Sequence, residues 1–391
     1  MWRRRLGADH PGGGQCRLRR HRRAPERSSD DSRKGAKGFA RQEKSRGQSG
    51  ASRRTESMRL PDFQLHKPAN LAQASSLLQN LEEGEFDWLG GGTDLLCNYK
   101  WRIQNRDHVI STRGIAELLD SQPGSLAAGR TLWEIEQDPV LAERYPALVA
   151  AVSRIATPVI RRSATLGGNL LLDTRCWHLN QTVEWRRAHG SCLKAEAEIC
   201  RVMPDPGDVC VATYSGDLAP VLLVYGAEVE LARPEADGSW QSRKISLAEF
   251  YQEDGIRRFR DKGAREILLR VHLPQEASAW TVNYQKLRLR EAFDFPEGGV
   301  AAGVRWQAGR AAEIRLATTA YASIPELHPE LCQGFAGGTL EESDRQALGE
   351  ALMAKVRPMK NTAMSPAYRK KMAAVLCRRA LLACVEAAPQ P

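Results

Sequence analysis

The sequence lacks any apolar run approaching the roughly 18 residues that a membrane-spanning helix requires. It also lacks the apolar segment of a secretory signal near its start. Both absences predict a cytoplasmic protein with no membrane partner, in which the nine cysteines stay reduced. Clustered thiols in such a chain indicate metal ligands or core residues rather than disulfides.

Most of the chain also lacks an excess of charge of one sign. The net charge is +10, but residues 1–57 contain 17 basic and 6 acidic residues, which leaves 40 basic and 41 acidic residues for the rest. The near-neutral body gives no reason to expect nucleic-acid binding. The segment 1–57 is rich in Gly, Ser and Arg, which predicts a disordered basic leader. A nucleic-acid-binding arm is the alternative for this segment alone.

No methionine lies between Met1 and Met58, where a well-patterned sequence begins. We therefore hypothesise that Met58 is the natural start and that residues 1–57 are an upstream extension.

The hydrophobic pattern predicts an α+β protein. An amphipathic helix is expected over Pro68–Leu81, with Pro68 in its first turn, and another around residues 148–155 that ends at Thr157. Strands are expected at residues 86–89, 108–111 and 265–274, and antiparallel strands at residues 284–290 and 299–306. An apolar helix from residue 215 should turn through Gly226 into a strand. The last helix spans residues 367–388. Its inward face is expected to consist of Tyr368, Met372, Val375, Leu376 and Ala380. Cys377 and Cys384, seven residues apart on one face of the helix, are predicted to be core residues.

Neither a G-x-G-x-x-G nor a G-x-x-x-x-G-K-[ST] motif is present, so neither a Rossmann site nor a P-loop is supported. Two other glycine turns take their place. GGGTDLL begins at Gly90 after a predicted strand, with Thr93 as a hydroxyl donor and helix N-cap candidate. TLGGN, residues 165–169, reads as a turn into a short buried segment. Glycine turns of this kind let backbone N–H groups approach a pyrophosphate.

Four of the cysteines fall between residues 173 and 213, at Cys176, Cys192, Cys200 and Cys210. Their spacing is neither the C-x-x-C of common zinc sites nor the compact run of bacterial ferredoxins. Four thiolates can still hold one [4Fe–4S] cluster. A zinc site that uses His178 or His189, and a set of free buried thiols, are the alternatives.

Three motifs in order, GGGTDLL, ATP…RRSATLGGNL and SGDLAP…GAEVEL, resemble the flavin subunits of molybdenum hydroxylases such as xanthine dehydrogenase and aerobic carbon monoxide dehydrogenase. The resemblance extends from about residue 58 to residue 388. It implies a vanillyl-alcohol-oxidase-like, PCMH-type FAD-binding domain of two α/β subdomains at 58–275, with an insertion at about 173–213. A C-terminal α+β domain with a small antiparallel sheet and helices would follow at 280–391.

The resemblance also implies which residues contact FAD. The first glycine turn would contribute Gly90, Gly91, Gly92, Thr93, Asp94 and Leu95, and the second Thr165, Gly168 and Asn169. Ser215 and Asp217 would reach the adenosine side, Leu268 the isoalloxazine region and Lys286 the flavin ring. A helix cap is an equal alternative for Asp217, and a solvated strand lysine is the alternative for Lys286.

Most members of the family pass directly from the second glycine turn to the helix of SGDLAP, whereas about forty residues intervene here. This insertion, with LLLDTRCWHLNQTVEWRRAHGSCLKAEAEICRV, resembles the 4-hydroxybenzoyl-CoA reductase branch of the family. The resemblance implies that Cys176, Cys192, Cys200 and Cys210 bind a [4Fe–4S] cluster.

That branch implies an oxidoreductase subunit without catalytic residues of its own. It would relay electrons from ferredoxin to a [2Fe–2S] small subunit and a molybdopterin-binding large subunit, in an (αβγ)2 assembly, for dehydroxylation of 4-hydroxybenzoyl-CoA to benzoyl-CoA. The alternative is the FAD subunit of another xanthine dehydrogenase or carbon monoxide dehydrogenase-type hydroxylase, with a structural zinc or no metal in the insertion.

Overall fold

The computed structural model describes residues 59–122 and 124–389. The proposed leader and Met58 lie outside these residues. The strands are β1 (Gln64–His66), β2 (Phe86–Leu89), β3 (His108–Ser111), β4 (Ser125–Ala127), β5 (Glu228–Pro234), β6 (Trp240–Ser246), β7 (Ile267–His272), β8 (Trp280–Leu287), β9 (Gly298–Gln307), β10 (Arg310–Thr319) and β11 (Glu326–Leu327). The helices are α1 (Leu71–Leu78), α2 (Leu95–Lys100), α3 (Leu132–Glu136), α4 (Pro139–Arg144), α5 (Pro146–Ser153), α6 (Pro158–Arg161), α7 (Leu166–Leu170), α8 (Val183–Ala188), α9 (Leu218–Tyr225), α10 (Leu247–Phe250), α11 (Pro329–Cys332), α12 (Glu342–Lys355) and α13 (Pro366–Glu386).

A small parallel sheet begins the fold. Its strand order is β1-β3-β2, and all its pairs are parallel. Parallel neighbours need crossover connections, which α1 and α2 provide. The first glycine turn therefore leaves the end of β2 and leads directly into α2.

A four-stranded antiparallel sheet, ordered β4-β7-β5-β6, forms the second layer. Its core includes α5 and α9. All eight residues of α9 are buried, as expected for a helix that is apolar on every side. Gly226 ends this helix with φ of +74°, a left-handed conformation that favours glycine.

The C-terminal sheet is ordered β11-β10-β9-β8 and is antiparallel. Residues of this sheet share one core with α9 and a second core with α12 and α13. The predicted α+β class is confirmed, with two mixed subdomains followed by a helix-backed antiparallel sheet.

Three local predictions were wrong. The first helix begins at Leu71, where the side chain of Asn70 caps it, so Pro68 precedes the helix. Thr157 starts α6 by accepting a hydrogen bond from Ile160 N–H, and TLGGN forms α7 instead of a turn. In each case a polar side chain satisfies the free N–H groups of a new helix N-terminus.

The buried face of α13 also differs from the prediction. Tyr368 is 47% exposed, and the buried face is rotated by about one residue. Its members are Arg369, Ala373, Leu376, Cys377, Ala380, Leu381 and Cys384, which confirms both cysteines as core residues. Within the described residues, no helix is both long enough and apolar enough to span a membrane.

Arg369 explains the rotation, since it is fully buried and binds three backbone carbonyls. It donates to Glu297 O at 2.7 Å, to Met359 O at 2.9 Å and to Ala320 O. One side chain thus joins the start of β9, the end of β10 and the segment before α13.

We expect Arg369→Leu to lower the free energy of unfolding by about 3 kcal/mol, because three buried carbonyls lose their donor at about 1 kcal/mol each. Urea unfolding followed by circular dichroism measures the change. Arg379→Leu, an exposed position on the same helix, is the matched control and should change stability by less than about 0.5 kcal/mol. Equal effects of the two substitutions would contradict this role for Arg369.

Candidate functional site

All thirteen predicted cofactor-binding residues line one cleft of about 730 Å³. A volume of this size suits a large small-molecule ligand. The first glycine turn, α7, the start of α9, β7 and β8 each contribute part of the wall. The structure thus brings together residues that are separated by almost two hundred positions in the sequence.

The first glycine turn packs against the backbone that precedes the second. A Cβ at Gly91 would lie 1.8 Å from Ser163 O, and one at Gly90 would lie 3.0 Å from Thr165 Oγ1. Only glycine fits at Gly91 without moving the backbone. The N–H groups of Gly91, Gly92 and Thr93 have no hydrogen-bond partner in residues 59–122 and 124–389.

These free N–H groups lie beside the N-terminus of α2 and can donate to an anionic group in the cleft. Asp94, and not Thr93, occupies the N-cap position, and its side chain makes no capping bond. Its carboxylate pairs instead with Arg175.

The N–H groups of the two glycines in the second glycine turn are already hydrogen-bonded, so these glycines can contact a ligand only through their surface. Gly167 N–H donates to Ala128 O at 2.8 Å, and Gly168 N–H donates to Thr165 Oγ1 at 3.1 Å. A Cβ at Gly168 would meet only Thr165 Oγ1 within 4 Å, so the remaining space belongs to the cleft. Of the two turns, the first therefore has N–H groups free to donate to a ligand, whereas the N–H groups of Gly167 and Gly168 are already paired.

Asp217 and Lys286 form a buried ion pair in the cleft wall. Their side chains are 3% and 2% exposed, and Nζ lies 3.0 Å from Oδ2. Tyr284 Oη donates to Asp217 Oδ1 at 2.7 Å. Burial raises the pKa of Asp217, and the Lys286 ammonium opposes that rise.

The alternative for Lys286 was wrong, and the alternative for Asp217 holds for its position alone, because Asp217 occupies the N-cap position of α9. Lys286 is not solvated, and the carboxylate of Asp217 makes no cap to α9. Asn169 supplies that cap, because its Oδ1 accepts from Leu218 N–H at 3.2 Å. The hydroxyl of Ser215 has no hydrogen-bond partner in the described part of the chain and is available to a ligand.

The cations that sequence reasoning missed in the cleft include Arg258 and Lys262. Arg258 donates to Leu171 O and Leu172 O at 2.9 and 3.0 Å. Burial lowers the pKa of Lys262 to about 8. Neither residue belongs to a motif, and only the fold brings their loop to the cleft.

The four clustered cysteines do not line the cleft but lie together in the insertion, residues 173–213. They are 5–9% exposed, and none forms a disulfide. Burial raises the pKa of the Cys176 thiol to about 12, and Cys192, Cys210 and Cys200 act in the same direction. We call these four residues the thiol cluster.

The arrangement of the thiol cluster does not support the predicted metal site. Within the described residues, no group of three or more His, Cys, Asp or Glu side chains could hold a metal ion. His189 is exposed and stacks on Trp185 at 3.9 Å. The [4Fe–4S] ligand set therefore stays a prediction.

Asn361 forms hydrogen bonds with both ends of the insertion. Its backbone carbonyl accepts from Trp177 N–H at 2.7 Å, and its Nδ2 donates to Val211 O at 2.6 Å. Its Oδ1 accepts from Thr213 Oγ1 at 3.0 Å. Trp177 and Val211 directly follow Cys176 and Cys210, so the C-terminal part of the chain positions two of the four thiols.

Comparison with known proteins agrees with this architecture. Residues 61–276 match the family described as the FAD binding domain in molybdopterin dehydrogenase. Residues 283–384 match the CO dehydrogenase flavoprotein C-terminal domain.

Individual relatives cover most of the chain. It is 25% identical over 329 residues to the xanthine dehydrogenase FAD-binding subunit of Escherichia coli O157:H7, covering 83% of this chain and 96% of the relative. It is 29% identical over 243 residues to the aldehyde oxidoreductase FAD-binding subunit of Escherichia coli (strain K12), covering 59% and 74%. The structure of quinoline 2-oxidoreductase from Pseudomonas putida 86 superposes with a TM-score of 0.67 at 20% identity, covering 85% of this chain and 99% of that chain.

The structural match confirms the predicted fold, a PCMH-type FAD domain followed by the C-terminal domain of these subunits. The chain therefore belongs to the FAD-binding subunits of the xanthine dehydrogenase and carbon monoxide dehydrogenase family of molybdenum hydroxylases, and it is an oxidoreductase subunit.

Proposed function

We propose that this chain is the flavin and iron–sulfur subunit of a 4-hydroxybenzoyl-CoA reductase. In this role it relays electrons from ferredoxin through a [4Fe–4S] cluster and FAD to partner subunits that hold [2Fe–2S] clusters and molybdopterin. The partner subunits carry out the reductive dehydroxylation of 4-hydroxybenzoyl-CoA to benzoyl-CoA. The proposed assembly is (αβγ)2.

One observation carries the proposal, the group of four buried, unbridged thiols beside a flavin cleft. Neutral thiols gain little from lying together in a polar loop, whereas metal binding replaces their protons with a stronger interaction. A single zinc ion needs donors within about 2.3 Å of one point. The thiolates of a [4Fe–4S] cluster stand farther apart, because each binds a different iron.

The residues of this chain bind FAD and set its position in the cleft. Free N–H groups of Gly91 to Thr93 would donate to the diphosphate, and the bare surface of Gly168 would admit it at close range. The buried Asp217–Lys286 pair forms another part of the cleft wall. FAD, when bound, exchanges one or two electrons, while an iron–sulfur cluster exchanges one.

The second candidate is an FAD subunit of another hydroxylase of this family, with zinc or no metal in the insertion. The names of the relatives, xanthine dehydrogenase and aldehyde oxidoreductase, and the absence of a compact metal-binding group in the described residues favour it. Iron content distinguishes the two candidates.

For the iron–sulfur site, we expect Cys192→Ser to remove four irons per copy of this chain and to leave FAD bound. The measurement is iron, sulfide and flavin analysis of the anaerobically purified complex with its partner subunits, with electron paramagnetic resonance after dithionite reduction. The iron content of the variant complex is subtracted from that of the unsubstituted complex, because the partner subunits contribute the same iron to both. Cys332→Ser, buried outside the insertion, is the control and should keep all the iron. An unchanged iron content in the Cys192→Ser complex would contradict the iron–sulfur site and favour the second candidate function.

For the flavin site, we expect Gly168→Val to reduce FAD affinity at least about tenfold, because its side chain fills space that the ligand needs. Flavin occupancy and FAD titration of the deflavinated complex measure the effect. Gly334→Val, exposed and with no atom within 4 Å of the new Cβ, serves as the matched control. Full flavin occupancy in Gly168→Val would place FAD elsewhere.

A further inference from the structure

The helix that bears the first glycine turn is too short to hold its own position. Helix α2 has six residues, and an isolated helix of this length is unstable in water. Its N-terminal turn nevertheless has to present free N–H groups at a fixed place in the cleft. Contacts from other elements must therefore set its orientation.

Arg175 of the insertion holds the N-terminal end of α2. Its guanidinium pairs with Asp94, the N-cap residue of the helix. The same guanidinium lies 4.6 Å from the ring centroid of Phe295, which lines the cleft. Backbone hydrogen bonds between Arg175 and Thr213, at 2.7 and 2.6 Å, fix the arginine in the insertion.

Arg186, in α8 of the insertion, holds the other end. Its side chain is buried and donates to Trp101 O at 3.1 Å and to Arg102 O at 2.8 Å. These carbonyls directly follow the last turn of α2, where a cation also stabilises the helix dipole. A further bond, to Gln181 O at 2.6 Å, anchors the guanidinium in its own segment.

Neither arginine lines the cleft, yet both belong to the segment that carries the thiols. Arg175 precedes Cys176, and Ile103, just beyond α2, packs on the thiol cluster. The insertion is thus attached to both ends of the helix whose N-terminal turn faces the cleft.

We propose that Arg175 and Arg186 are positioning residues for FAD, which they influence by holding α2 at its two ends. The insertion then has a second role besides carrying thiols, because it sets the geometry of the first glycine turn. This inference rests on the proposed placement of FAD at that turn.

The test is FAD titration of the deflavinated complex with Arg175→Met and with Arg186→Met. Each substitution should raise the dissociation constant of FAD about tenfold, a typical coupling between separate sites. Arg187→Met, an exposed neighbour in α8, should bind FAD as the unsubstituted complex does. Arg186→Met should also lower the melting temperature of the deflavinated complex, because three carbonyls lose their donor. FAD affinity is therefore measured well below that temperature, where a merely structural role would leave it unchanged.

Unchanged FAD affinity in both Arg175→Met and Arg186→Met, with Gly168→Val still weakened, would overturn the inference and keep the proposed FAD site. Unchanged affinity in all three would instead overturn the FAD placement. If Arg186→Met disrupts the insertion and loses iron, Arg175→Met decides the question, because it acts at the other end of α2.

Discussion

The cleft depends on the close approach of Gly91 to the carbonyl oxygen of Ser163. A Cβ at this glycine would lie 1.8 Å from that oxygen, so no other residue fits without moving the backbone. The contact joins the parallel sheet of the first subdomain to the segment that leads into α7. Because both glycine turns meet at this point, one steric constraint limits the distance between the two glycine turns that line the cleft.

The C-terminal sheet supports this site from the other side. Its strand β8 contributes Lys286 to the cleft wall. The segment before α13 contributes Asn361, which binds the insertion. The carboxylate of Glu297 accepts from Thr362 Oγ1 at 2.7 Å and from Met364 N–H at 3.1 Å, which fixes the loop around Asn361. Removing the C-terminal part would therefore disturb the flavin cleft and the thiols together.

The sequence predicted β2, β3, β7 and the end of α9 at Gly226, because these are local patterns. The family resemblance carried by the three motifs led to the thirteen residues that line the cleft. Tertiary packing decided what could not be predicted. Asn169 caps α9 although Asp217 occupies the N-cap position, and Asp217 pairs with Lys286 from a strand about seventy residues away. The inward face of α13 was misjudged because a buried arginine, whose carbonyl partners lie on other elements, reads as a surface residue.

A buried ion group joins the thiols to the cleft. Lys194 of the insertion donates to Asp173 Oδ1 at 2.6 Å, and Arg258 lies 3.4 Å from the same oxygen. Burial alone would raise the pKa of Asp173, but the two cations outweigh it and hold this pKa below its ordinary value. Asp173 and Arg258 line the cleft, while Lys194 lies near enough to Cys210 to lower the pKa of that thiol, which burial raises. Because charges interact strongly where water is excluded, a change of charge in the cleft or in the thiol cluster acts on this one group. The two sites therefore share an electrostatic environment.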